Sequence, residues 1–159
     1  MEAIRDAQPS PNGHGKVQVD RIEDLKALGR ENSVWRVKSS TAEIIVAQLE
    51  LDDRPVIVLP MRDVWISGVR FRGMKPTVCL SRERLVAVSH PGLLGRAIWE
   101  KFDRKLFVAV SALTGRSFEI SLSDGRDIKL RGMIGQGRVD MMTKRLHSEI
   151  NSGLQHSSS

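Results

Sequence analysis

Apolar and polar positions alternate most cleanly between Arg116 and Gly132. Phe118, Ile120 and Leu122 are interleaved with Ser117, Glu119, Ser121 and Ser123, and Ile128 and Leu130 with Asp127, Lys129 and Arg131. A period of two with one dry face predicts two strands, and Ser-Asp-Gly between them predicts a β-hairpin. A two-residue Asp-Gly loop would set Leu122 against Asp127, whereas a three-residue loop, Ser123 to Gly125, pairs Ile120 with Ile128 and Phe118 with Leu130. The second register is expected, with Gly125 taking the positive φ that the turn requires. Glu119 then faces Lys129 on the wet side, a cross-strand pair contributing ~0.2–1 kcal/mol.

Other periods appear before and after this hairpin. Asp20 and Glu23 have capping-box spacing ahead of Ile22, Leu25 and Leu28, and Gly29 follows as a stop, which predicts a short amphipathic helix. Ser40-Thr41-Ala42-Glu43 repeats the start signal before Ile44 to Leu51, which predicts a second helix ended by Asp52-Asp53-Arg54-Pro55, although Ile44-Ile45-Val46 would suit a strand equally well; Val34 to Val37 between them reads as a short strand. From Pro55 onward the texture is of short β-type runs between turn residues: Val56 to Leu59, Val64 to Arg72, Thr77 to Leu80, Arg84 to Ser89, Arg96 to Phe102 and Leu106 to Ala112. Around Ser81-Arg82-Glu83 a three-residue loop would pair Val78 with Val86 and Cys79 with Leu85. His90-Pro91-Gly92 and Thr114-Gly115 supply further turns. After the glycines at 132, 135 and 137, Val139, Met142, Leu146 and Ile150 fall on one face of a closing helix, with Gly153 past its end.

These elements predict an α+β, mainly β chain: a curled antiparallel sheet or barrel of about seven strands, capped by the last helix and preceded by short helices. The expected organisation is a disordered leader over 1–18, a helical appendage over 19–54, the β domain over 55–153 and a loose tail over 154–159.

Composition narrows the picture. The chain has 159 residues, with 25 Lys and Arg against 19 Asp and Glu, a net charge of +6. That balance favours anionic partners without identifying one. One cysteine, Cys79, leaves no internal disulfide, and no secretory leader or membrane-spanning apolar run is visible, so a cytoplasmic setting is expected.

The run from Cys79 to Met133, "CLSRERLVAVSHPGLLGRAIWEKFDRKLFVAVSALTGRSFEISLSDGRDIKLRGM", followed by the helix from Arg138, resembles a pleckstrin-homology-like domain of the bacterial or GRAM type. The resemblance spans about Trp65 to Ile150 and is carried by the strand pair around Leu80 and Leu85 to Val88, the His90-Pro91-Gly92 turn, the Phe102 to Val110 segment and the Ser-Asp-Gly hairpin. It implies a binding module without catalytic activity, engaging a protein partner or a second copy of itself. Some relatives of that type hold phosphoinositide head groups with basic residues near the first strands, which implies the alternative: an anionic-ligand binder, peripheral to a membrane or on nucleic acid. The matching residues here are Arg70, Arg72, Lys75, Arg82 and Arg84, with Val69 and Phe71 expected to face inward and Arg70 and Arg72 outward. Seven aromatics (three Trp, four Phe) and no Tyr make a single-strand stacking platform the weaker form of that alternative.

Other chemistry is not expected. Gly132, Gly135 and Gly137 lack the Lys-Ser/Thr and βαβ setting of a phosphate loop and read as a linker. Asp124 and Asp127 read as turn-formers, Cys79 as a small buried side chain, and Trp65 and Trp99 as core or interface anchors. His14, His90, His147 and His156 lack zinc-ligand spacing. No catalytic constellation and no cofactor motif is recognisable.

Overall fold

The computed structural model describes residues 11–32, 36–73, 75–90, 96–113, 116–133 and 137–157. The expected strand over Val34 to Val37, the turns at Pro91-Gly92 and Thr114-Gly115, the first ten residues of the leader and the centre of the 132–137 linker therefore lie wholly or partly outside the described residues.

Two helices come first, α1 (Pro11–Asn32) and α2 (Ser39–Ala47). Among the described residues nine strands follow: β1 (Pro55–Pro60), β2 (Asp63–Ile66), β3 (Val69–Arg70), β4 (Thr77–Ser81), β5 (Arg84–Ser89), β6 (Ile98–Asp103), β7 (Phe107–Ala112), β8 (Ser117–Leu122) and β9 (Asp127–Arg131). Helix α3 (Gly137–Ser157) closes the chain. The strands form two antiparallel sheets, ordered β1-β4-β5-β6 and β3-β2-β9-β8-β7, and the two do not join into a closed barrel as the curled-sheet expectation allowed. One local turn adds a strand to the runs expected from the sequence. Ser67 and Gly68, at φ 49° and 81°, fold the expected Val64 to Arg72 strand into a tight hairpin. The segment from Pro55 to Ile66 then breaks at Met61-Arg62, so β1 pairs in one sheet with β4 and β2 in the other with β9.

The final hairpin has the expected register. Phe118 pairs with Leu130, Ile120 with Ile128 and Glu119 with Lys129, around Gly125 at φ 93°. The β4–β5 hairpin does not. Cys79 pairs with Val86 and Leu80 with Leu85, one residue away from the expected pairing, because the loop is Arg82-Glu83 alone. The buried Ser81 hydroxyl accepts from the Arg84 amide (2.8 Å), closing the shorter turn.

The core has two layers. Between the sheets lie Leu59, Leu80, Leu85, Phe102, Ile120 and Leu130, and α3 seals that space with Met142, Leu146 and Ile150, all buried as the periodicity predicted. On the outer face of the four-stranded sheet, Val58, Cys79, Val86 and Val88 pack against Leu25 of α1 and Ala42 and Ile45 of α2. The N-terminal helices are therefore a third layer of the fold.

Three helix limits differ from expectation. Helix α1 starts at Pro11, so residues 11–18 of the expected leader are helical, and Asp20 and Glu23 fall inside the helix where they cap nothing. Gly29 and Gly153 lie within α1 and α3 and stop neither; each marks a close approach, since a Cβ would meet Val37 Cγ2 at 2.5 Å and Arg104 Nη2 at 2.6 Å respectively. Helix α2 ends at Ala47 and has Lys38 as its N-cap, without a side-chain cap.

Candidate functional site

The five cations singled out in the sequence do not converge. Arg70 is on β3 at the rim of the five-stranded sheet, where its Nε lies 3.0 Å from Asp63 Oδ1. Val69 beside it is 71% exposed, which corrects its expected inward orientation; Phe71 is buried as expected and Arg72 is exposed. Lys75 precedes β4 and Arg82 follows it, so the length of a five-residue strand, roughly 16 Å, separates them. Residues close in sequence across a hairpin can stand at its opposite ends.

Arg82 and Arg84 line a cleft of about 670 Å³ between the β4–β5 turn, the 3-10 turn Arg104–Leu106 and the last turns of α3. Its charged lining is balanced: Arg82, Arg84, Arg104 and Lys105 against Glu50, Glu83, Asp103 and Glu149. Two of the cations are already engaged. Arg84 donates to the Gln48 carbonyl (2.7 Å), Glu50 (3.3 Å) and Asp103 (3.4 Å); partial desolvation opposes its charge, and the hydrogen bonds to Asp103 and Glu50 outweigh it, raising the pKa. Arg104 donates to the carbonyls of Ser81 (2.9 Å) and Glu149 (3.3 Å), tying the turn to α3, and its burial lowers its pKa. Beneath them the buried Asp53 accepts from the Ser81 hydroxyl (2.7 Å) and the Glu83 amide (3.2 Å). This is a cross-linked turn, and its acids oppose an anion.

The remaining titratable groups follow their surroundings. Burial pushes the Cys79 thiol pKa up, with Asp53 adding to the effect, which holds sulfur in its unreactive form. Asp124 is paired with Arg126 (2.7 Å), and that contact holds its carboxyl below the usual range. His90 Nε2 lies 2.9 Å from Thr41 Oγ1. The His147 ring packs edge-on against Phe118, and its Nε2 is buried without a hydrogen-bond partner among the described residues. Among the described residues no group of three or more His, Cys, Asp or Glu is placed to hold a metal, and no helix is long and apolar enough to cross a membrane. Trp65 and Trp99 are not core anchors. Trp65 lies on the outer face of the five-stranded sheet with Lys129 Nζ 4.9 Å over its ring, and Trp99 is 41% exposed on β6.

What distinguishes one surface is the chemistry of the sheet edges. An unpaired edge offers backbone N–H and C=O groups to any passing strand, and proteins guard such edges with proline, charge, brevity or cover. Strand β1 has Pro55 and Pro60, and the buried Asn32 side chain accepts from the Val58 amide at 2.8 Å. Strand β3 is two residues long and carries Arg70. Strand β6 exposes Glu100, Lys101 and Asp103. Among the described residues, strand β7 carries neither proline nor charge over Ala109 to Ala112, although α3 packs near it. The run Phe107 to Leu113 is free of charge and proline, Val108 and Leu113 are exposed, and its one irregularity lies at its start, between Phe107 and Ala109. Sequence reading found this strand but not its place at an edge; the uncharged run was the available signal.

No family model matches the chain, and no curated protein matches it significantly.

Proposed function

We propose that this chain is a non-catalytic interaction module of pleckstrin-homology-like architecture that self-associates through the edge of β7. The observation that carries the reading is the β7 edge, without proline or charge over Ala109 to Ala112, beside three guarded ones. Support for the architecture comes from element order: two antiparallel sheets, one strand segment (Pro55 to Ile66) shared between them, and a closing helix over the core they enclose. An uncharged edge suits a second copy because two β7 strands related by a two-fold axis pair antiparallel without opposing like charges along Ala109 to Ala112.

The helices α1 and α2 are not the contact in this reading, since Leu25, Ala42 and Ile45 on them are already packed on the four-stranded sheet. Deleting residues 1–54 would uncover that sheet and so test stability, not association. The informative variant places lysines on exposed β7 positions, Val108→Lys with Ser111→Lys, leaving the buried face intact. Size-exclusion chromatography with light scattering should give a dimer for the parent, a monomer for this variant and a dimer for the β6 control Lys101→Glu. A parent that stays monomeric across a wide concentration range, or a dimer that survives the two lysines, removes the proposal.

A further inference from the structure

We propose that the cleft between the start of α2 and the far ends of β4 and β5 is a binding site for a phosphomonoester dianion. The inference is independent of self-association through β7. The cleft has a volume of about 320 Å³, at the small end of the roughly 300–1,000 Å³ typical of ligand pockets. Its lining brings Arg36 and Lys38 from the α1–α2 connection, Thr41 from the first turn of α2, Lys75 from before β4, and Ser89 and His90 from the end of β5. Among the described residues that line it, none is Asp or Glu. The net charge of the chain does not account for that: the 670 Å³ cleft sets four acids against four cations, and a third, near Arg21 and Asp53, has three acids and two cations. Three cations held around one hollow repel each other, and an anion between them reverses the sign of that interaction.

Three further observations fit a phosphate group. Lys38 is extended (φ −66°, ψ 148°) and gives α2 no side-chain cap, so the first amides of the helix lack the side-chain acceptor that usually occupies them. Thr41 and His90 are joined at 2.9 Å, which holds a hydroxyl and an imidazole in fixed positions at the wall. Lys75 adopts φ 52°, a left-handed conformation that a lysine takes at a cost and a glycine would not; the chain keeps a cation there in spite of it. Arg36, Val37, Lys38 and Thr41, four of the ten lining residues, lie outside the stretch that resembles a known domain. Of the five cations picked from the sequence, only Lys75 belongs to this site.

The probes are inorganic phosphate, by titration calorimetry, and vesicles of phosphatidylcholine carrying either phosphatidic acid, a phosphomonoester, or phosphatidylserine, which matches its negative sign only. The parent should bind phosphate, and Lys38→Glu with Lys75→Glu should weaken binding at least about tenfold, the equivalent of one charge-assisted hydrogen bond. Arg82→Glu with Lys105→Glu, in the balanced cleft, should leave binding unchanged. Lys75→Gly should also lose affinity, and its thermal unfolding, measured beside the parent's, separates ligand loss from misfolding. Capture by phosphatidic acid but not phosphatidylserine assigns the phosphate to a lipid; phosphate binding without capture assigns it to a soluble molecule, and both outcomes support the site. Absence of both phosphate binding and phosphatidic acid capture overturns it. So does equal capture by the two lipids that persists in the Lys38 and Lys75 variant, since that is charge attraction without a site.

Discussion

The two sheets solve the same problem with different amounts of cover. In the four-stranded sheet, Ile57, Leu59, Val78, Leu80, Leu85 and Ala87 face the inter-sheet core, while Val58, Cys79, Val86 and Val88 lie under α1 and α2. In the five-stranded sheet Phe118, Ile120, Leu122, Ile128 and Leu130 are buried on one side, and a polar row runs across the other through Arg70, Trp65, Lys129, Glu119 and Ser111. A sheet with one wet face carries its register in its alternation, because a slip by one residue would put the apolar set in water. A sheet dry on both faces has no such penalty. Its register falls to polar contacts instead: Asp53 and Ser81 at the β4–β5 turn, and Asn32 on the β1 edge.

The sharpest way to break the comparison is to put one charge on the equivalent outer position of each sheet. Val86 is fully buried under the helices, and Val86→Lys would bury an ammonium with no partner, at a penalty of several kcal/mol against a typical total stability of about 5–15 kcal/mol. Urea denaturation should show little or no cooperative folding. Ser121 occupies the outer face of the five-stranded sheet opposite Asp127, and Ser121→Lys should change stability by no more than about 0.5 kcal/mol. A Val86→Lys protein with the parent's midpoint would mean that α1 and α2 do not cover their sheet.

That difference in cover also explains how far the fold could be read in advance. Phe118, Ile120, Ile128 and Leu130 were legible to the residue, as were the turn glycine at 125 and the α3 stripe at Met142, Leu146 and Ile150, because each has water on one side and core on the other. The β4–β5 pairing was not, since TVCLS and RLVAVS read equally well one residue out of step. The deciding contact, from Asp53, comes from a loop 28 residues earlier in the chain. The candidate sites were less legible still. Lys75 and Arg82 look adjacent on paper, and only the strand between them sends them to opposite ends. Arg36, Lys38 and His90 meet only when α2 lies on the sheet, and an edge is visible only once the strand order is known.

A milder test asks whether the helical layer matters as much as the inter-sheet core. Leu25 in the first and Leu146 in the second are both fully buried, so Leu25→Ala and Leu146→Ala should each cost about 2–5 kcal/mol. A separable appendage would instead make Leu25→Ala nearly silent. Cys79 reports on the same layer without denaturant. It is buried under α1 and α2, and it should resist alkylation in the parent and react in Leu25→Ala, where opening of the helices is easier.

The smallest effect, and the one that sharpens the comparison most finely, comes from the two glycines inside helices. Replacing either by alanine gains up to ~1 kcal/mol of helix propensity. At Gly29, where α1 lies on the four-stranded sheet, the new methyl would stand 2.5 Å from Val37 Cγ2, with Val58 Cγ1 also within reach at 4.0 Å. Both neighbours belong to the packed layer, so Gly29→Ala should lose about 1 kcal/mol net once overpacking is set against propensity. At Gly153 the obstacle is Arg104 Nη2 at 2.6 Å, the far end of a flexible side chain. It can swing aside by giving up a 3.3 Å hydrogen bond to the Glu149 carbonyl, a loss of about 0.5–1.5 kcal/mol that roughly cancels the gain. Thermal unfolding of the two variants should therefore separate, with Gly29→Ala lower and Gly153→Ala close to the parent; equal shifts would place the two helices against equally yielding surfaces.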